Sequence, residues 1–244
     1  MAEQKHYTRA PITEAIIDVR VELSADVTLD TLAEARAVLP DYPTSTNIEF
    51  FQTHVSVAPE LTGTTTKEHI GYALVSEDGR QICQVRLDGF TFNRLAPYEH
   101  WAAFRDEARR LWEAYQKITH PTAIMRVAVR TINRLDLPGP KVDFYDFLRT
   151  VPEVSSDLPQ GLSTYFMQLQ IPLPDIDAML WLNEGMAPPL HPNVVSVILD
   201  IDLFREQHLP SDEVALWELF EQLHGRRNSV FEACITDRTR ELIR

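Results

Sequence analysis

The residues best suited to chemistry in this chain lie on one short stretch. In Arg126-Val-Ala-Val-Arg130-Thr-Ile-Asn133-Arg134-Leu-Asp136, the two-residue period of a strand sends Arg126, Arg130, Arg134 and Asp136 to one side. Each guanidinium is a planar fork matched to a carboxylate or a phosphate. Three of them on one strand face repel one another unless acids or an anionic ligand lie opposite. Two readings follow: a cross-strand ion-pair ladder with Asp18, Glu22 or Asp200, or a groove that binds an anion or a partner. Asn133 falls on the opposite face among Val127, Val129 and Leu135, where a buried amide needs a hydrogen-bond partner. Arg126, Arg130, Arg134 and Asn133 are the candidate binding residues.

Other constellations carry less. Asp200 and Asp202 share one face of a strand, about 6.6 Å apart, a spacing that can hold a cation or divide acid and base roles. The simpler reading turns both toward water. Asp175 and Asp177, beside Pro172 and Pro174, suit a turn. Eight glycines leave no phosphate-cradling Gly-x-x-x-x-Gly-Lys, and no Gly-x-Ser-x-Gly elbow occurs. The histidines His6, His54, His69, His100, His120, His191, His208 and His224 never stand four apart, and none sits near a cysteine. No catalytic residue, cofactor or metal site is expected, and the chain reads as a non-enzyme.

The elements that must position these residues follow from periodicity. Residues 14–23 alternate as a half-buried strand, and Thr28 caps a short helix that Pro40 ends. Strands are expected over Asn47–Ala58, His69–Ser76, Gln81–Leu87 and Phe90–Arg94. Thr62–Thr66 reads as a loop, and Asp78-Gly79 and Asp88-Gly89 as tight turns. Trp101, Phe104, Ala108, Leu111, Trp112, Tyr115 and Ile118 give residues 99–118 a wide apolar helical stripe. After His120-Pro121 the rhythm restarts. A strand is expected over Ile124–Leu135, a short helix over Asp143–Thr150, and strands over Gly161–Ile171, Ile176–Leu182 and Asn193–Phe204. A last helix opens at Ser211 with the stripe Leu216, Leu219, Phe220 and Leu223, and Gly225 is placed to kink it. The aromatics Phe50, Phe51, Phe90, Phe92, Trp101, Trp112, Trp181 and Trp217 read as core.

This order predicts an α+β protein of tandem duplicated β-α-β(3-4)-α units, each antiparallel sheet covered by one long helix. Residues 1–120 form the first unit and 121–244 the second, packed as one pseudo-symmetric body. The topology resembles the TATA-box-binding-protein fold, and a shared fold carries no function with it.

Composition narrows the partners. Thirty-six acidic against 23 basic residues give a net charge of −13, spread evenly along the chain. Such a field disfavours nucleic acid and anionic membranes. No apolar run approaches the ~20 residues of a membrane span. Met1–His6 has no apolar h-region, so no secretory leader is expected. Cys83 and Cys234, far apart and outside any Cys-x-x-Cys pair, read as buried thiols in a reducing cytoplasm.

Four short stretches carry a family resemblance. They are Tyr7-Thr-Arg-Ala-Pro-Ile-Thr-Glu-Ala15; Phe92-Asn-Arg-Leu95 with Pro97-Tyr98 and Trp101; Arg130-Thr-Ile-Asn-Arg134; and Phe231 with the following Cys-Ile-Thr. Together they resemble a sporadically distributed family of bacterial and archaeal proteins of about this length, which has no assigned activity. The resemblance implies no catalytic residue. Its patchy distribution is similar to that of accessory genes of toxin–antitoxin or phage-defence loci. The resulting expectation is a non-enzymatic cytoplasmic interaction protein with a protein partner, compatible with a homo-oligomer. The alternative is a domain that binds or hydrolyses an anionic, nucleotide-like molecule in the arginine-lined groove.

Overall fold

The computed structural model describes residues 7–56 and 62–244. Residues 1–6, on which the leader expectation rests, and the Ala58 end of the second strand lie outside the described residues. Along the chain run β1 (Ile12–Glu22), α1 (Leu29–Ala33), α2 (Ala35–Val38), β2 (Thr44–Ser56), β3 (Thr62–Val75), β4 (Gln81–Arg86), β5 (Gly89–Leu95) and α3 (Trp101–Thr119). Then come β6 (Ala123–Pro138), a 3₁₀ turn (Phe144–Asp146), β7 (Phe166–Leu173), β8 (Ala178–Ala187), β9 (Val194–Arg205), α4 (Glu213–Cys234) and α5 (Asp237–Leu242).

The strands form one nine-stranded antiparallel sheet in the order β2-β3-β4-β5-β1-β6-β9-β8-β7. This overturns the expected tandem of β-α-β(3-4)-α units with helix-covered sheets, and the likeness to the TATA-box-binding-protein fold falls with it. Alternation fixes which residues of a strand share a face, but not which strand lies alongside. Here the ladder continues from β5 through β1 to β6, where two sheets would each have ended in an edge. The repeat of elements is also uneven. Where the first half has two α-helices after its opening strand, the second has a three-residue 3₁₀ turn, capped by Asp143.

One compact unit comprises residues 18–94 and 99–125. Its core is the apolar face of β4 and β5 under α3. Cys83, Val85, Phe90 and Phe92 are buried against Phe104, Ala108, Leu111, Trp112 and Tyr115. Phe92 stacks on Phe104 with centroids 5.2 Å apart, and Tyr115 donates its hydroxyl to the Arg86 carbonyl at 2.9 Å. Thr28 caps α1 in a reciprocal box with Thr31, as its position before an apolar helix predicts. Gly79 takes φ 72° in the β3–β4 turn, where Asp-Gly is favoured. Thr62–Thr66, expected as a loop, is the start of β3, because β-branched threonines suit a strand and one glycine does not end it. Residues Glu49–Ser56 and Thr62–His69 pair with each other, past a bulge at Ile48/Glu49, while β4 takes up β3 only over Gly71–Val75.

The other unit comprises the residues up to Ile17, 95–98 and 126–244. Val127, Val129, Leu135 and Leu137 of β6, Val197, Leu199, Ile201 and Leu203 of β9, and Leu180 and Leu182 of β8 are buried on one face. The α4 residues Leu216, Leu219, Phe220 and Leu223 are buried as well. Asp212, one residue beyond the expected Ser211, caps α4 by accepting from Ala215 N at 2.9 Å. Gly225 does not kink α4, which runs unbroken to Cys234, and a Cβ there would meet nothing within 4 Å. Gly225→Ala is accordingly expected to stabilise the protein by about 0.5–1 kcal/mol through chain entropy and helix propensity. The check is a higher urea midpoint at unchanged m-value.

Candidate functional site

The arginine row lies on the face of β6 away from that core, and the register of β6 with β9 places aspartates across from it. Arg130 pairs with Asp202 in register, and Ile132 with Asp200. Arg130 reaches Asp200 with both prongs, Nε to Oδ1 at 2.7 Å and Nη2 to Oδ2 at 2.6 Å. Arg126 donates from Nη2 to Asp202 Oδ2 at 2.9 Å and lies 4.3 Å over the Phe204 ring. Arg134 donates to the Pro188 carbonyl at 2.6 Å and Ser196 Oγ at 2.8 Å, and its Nε reaches Asp136 at 3.2 Å. All three arginines are therefore engaged by acceptors of the same unit.

The sheet extends this row. Gln168 Nε2 of β7 donates to Asn183 Oδ1 at 2.7 Å, and Asn183 Nδ2 of β8 donates to Asp200 Oδ2 at 3.0 Å. Gln168, Asn183, Asp200 and Arg130 thus form a hydrogen-bonded line across four adjacent strands. Asp200 accepts three hydrogen bonds, two from Arg130 and one from Asn183. The paired Asp200 carboxylate pushes the Arg130 guanidinium above its ordinary range, with burial opposing. Burial pushes the Asp202 carboxyl up, against the pull of Arg126 and Arg130.

Asn133 is on the other side of the strand. It is buried and donates to the Leu199 carbonyl at 3.0 Å. The structure brings Arg126, Arg130 and Arg134 together and separates Asn133 from them. Of the acids weighed at the outset, Asp200 faces the row. Asp18 belongs to the other unit, where Arg86 Nη2 and Thr91 Oγ1 donate to it at 3.1 and 2.7 Å. Asp177 takes φ 50° in the turn between β7 and β8 and contacts His208.

Two aromatic side chains stand beside the polar line. Trp181 of β8 is 37% exposed and meets Phe204 edge-on at 5.4 Å, and Phe166 of the edge strand β7 is 73% exposed. The core expectation holds for Phe90, Phe92, Trp112 and Trp217 but not for Trp181, Phe50 or Phe51, which are exposed. The signal was present for Trp181, since alternation puts it on the same face as Asn183, opposite Leu180 and Leu182. Among the described residues no group of three or more His, Cys, Asp or Glu side chains converges as metal ligands would. No described helix is long and apolar enough to cross a membrane. No protein-family model matches this chain, and no curated protein matches it.

Proposed function

We propose that this protein is a non-enzymatic cytoplasmic binding protein that docks another protein on the β6–β9–β8–β7 face. The observation that carries the reading is the pair of exposed aromatics, Phe166 and Trp181, set beside a line of polar side chains already paired with one another. Large aromatics and arginine dominate the energetics of protein interfaces, and pre-paired polar groups can be covered without stranding a charge. The net charge of −13 steers a basic protein toward the surface and repels nucleic acid. A basic toxin of an accessory locus has the required chemistry. An anion on the row would have to displace Asp200 or Asp202 from the guanidiniums, which leaves the small-molecule reading with less support.

Capture from the native cell tests the proposal, with wild type against the double variant Phe166→Ala/Trp181→Ala. Phe166 is so exposed that its truncation leaves the fold intact. The expected result is a basic partner held by wild type and bound at least tenfold more weakly by the variant, since two such anchors are worth about 2 kcal/mol or more. Recovery of no partner at any salt, or equal recovery by both proteins, would sink the reading.

A further inference from the structure

The strand order of the sheet ends in β2 on one side and β7 on the other. Edge strands invite pairing with another chain, and proteins block this with charges, bulges and prolines. β2 carries a bulge at Ile48/Glu49 and the charge of Glu49, paired with Lys67 at 2.7 Å. β7 has neither: it pairs with β8 in unbroken register over Phe166–Leu173 and bears no charged residue. The whole run from Leu158 to Pro174 lacks Asp, Glu, Lys, Arg and His, in a chain of which 24% is charged. On a protein of net charge −13, such an edge can meet a second acidic surface without setting like charges together.

The ladder shows which backbone groups this edge presents. Met186 N donates to the Tyr165 carbonyl at 3.1 Å, one step before the pair of Phe166 with Gly185. Bonded and non-bonded pairs alternate along an antiparallel ladder. Met167, Leu169 and Ile171 therefore bond to β8, while the N–H and C=O groups of Phe166, Gln168 and Gln170 point away from it. Gln168 and Asn183 form a close, non-bonded pair, as their side-chain contact of 2.7 Å requires. Pro172 takes the next outward position, where its missing N–H costs β8 nothing but ends the usable edge. No described strand lies beyond. Met167 and Leu169 are half-buried on the core side of the sheet, and Ile171 beside them is 37% exposed.

We propose that β7 is a dimerisation edge, which pairs antiparallel with β7 of a second copy across a two-fold axis at Gln168. An antiparallel edge is complementary to itself about such an axis. With the axis there, Gln168 faces Gln168 of the second copy and Phe166 faces Gln170, so every outward N–H meets a carbonyl. An axis at Leu169 or Gln170 would instead set Pro172 against Phe166 or Gln168, and a hydrogen bond would be lost at each such pair. On the core side, Met167 of one copy covers Leu169 of the other, and no charge lies along the paired strands. Side chains keep their faces on strand addition, so Phe166 and Trp181 stay available and the docking face runs on from copy to copy. The dimer does not rest on the docking reading, and its failure would leave that reading intact.

Sedimentation equilibrium of the full chain tests it. Wild type is expected to be a dimer at about 50 μM, with a dissociation constant in the micromolar range. Two copies of net charge −13 repel, so the dimer tightens several-fold as ionic strength rises from about 0.05 to about 0.5 M. Gln168→Lys and Gln168→Glu each set two like charges at the axis and weaken the dimer at least tenfold. An equal mixture of the two variants recovers it, because opposite charges then meet. Gln168 is exposed, and should one variant fail to fold, the other is read alone. A wild type that stays monomeric at both ionic strengths overturns the proposal, as it would if the edge takes up a strand of a different protein. A dimer that neither variant weakens, or a mixture of folded variants that stays monomeric, overturns it as well.

Discussion

Glu184→Gln is expected to stabilise the protein more as pH rises, gaining about 3 kcal/mol relative to wild type between pH 4 and pH 8. Glu184 sits on the core face of β8, opposite Leu199 of β9, with 0% exposure. Its Oε1 accepts from the Tyr165 hydroxyl at 2.8 Å, while Oε2 is buried without a partner. Burial pushes the carboxyl up to about 7 from an ordinary 4.5, and the tyrosine bond offsets only part of this. Below about pH 4.5 both folded and unfolded chains hold the proton. From there to pH 7 the unfolded chain releases it and the folded chain does not, so stability is lost over that window and is constant above it. The difference 7 − 4.5 corresponds to about 3 kcal/mol at about 1.4 kcal/mol per unit. Glutamine keeps the acceptor for Tyr165 and has no proton to lose.

The measurement is a series of urea curves from pH 4 to pH 8 on both proteins. His224 sets the background against which they are read. Held near 3 against an ordinary 6.5, it withdraws stability as pH falls below 6.5. Between pH 4.5 and 6.5 the two residues therefore act in opposite directions, since the unfolded chain has lost one proton and gained another. Wild type should be nearly flat there for these groups, and Glu184→Gln should expose the histidine slope. A difference between the two proteins that does not change with pH would mean that Glu184 ionises normally.

Glu184 and Arg227 also show where sequence reading ran out. The elements were legible because burial on one side writes a period into the chain. Alternation marked β6 and its arginine face, and the stripe of α3 predicted the residues that cover Phe90 and Phe92. The apolar stripe expected for α4 ends at Leu223. Beyond Leu223, spacing places His224 and Arg227 on the buried side, where the structure has both. Likewise Glu184 continues the inward set Leu180, Leu182. Period outranks residue type at such positions, and a polar residue that keeps the apolar phase is the one to examine.

Neighbour relations were not legible. Nothing in the alternation of β1 says that β5 and β6 flank it, and a rhythm of strands and helices repeated twice is compatible with two sheets or one. The ladder partners of the arginines depended on that relation. Asp18 and Glu22 of β1 and Asp200 of β9 all had the right phase, and only the register of β6 with β9 selects Asp200 and Asp202. The exposed aromatics were missed for the converse reason. Large apolar residues are usually core, and the type of Trp181 points inward while its strand phase points outward.

Gly71→Ala is expected to cost at least about 3 kcal/mol, in contrast to Gly63→Ala in the same strand, which should stay within about 0.5 kcal/mol. Gly71 pairs with Arg86 at the point where β4 joins β3, beyond which β3 pairs with β2 alone. A Cβ there would stand 2.2 Å from the Val85 carbonyl oxygen and 2.7 Å from Arg86 Cα. Both are backbone atoms, so no rotamer change relieves the clash and the two strands must part. At Gly63 a Cβ meets nothing within 4 Å. Parting the strands would also move Arg86, which donates to Asp18 and to Thr91 Oγ1 at 2.8 Å and bonds Asp88 through Nε at 2.9 Å. Asp18 is buried and would be moved away from the Arg86 guanidinium, adding an electrostatic cost to the steric one. Urea unfolding of the two alanine variants beside wild type decides the matter. Equal midpoints for both would show that β3 and β4 do not approach so closely at Gly71.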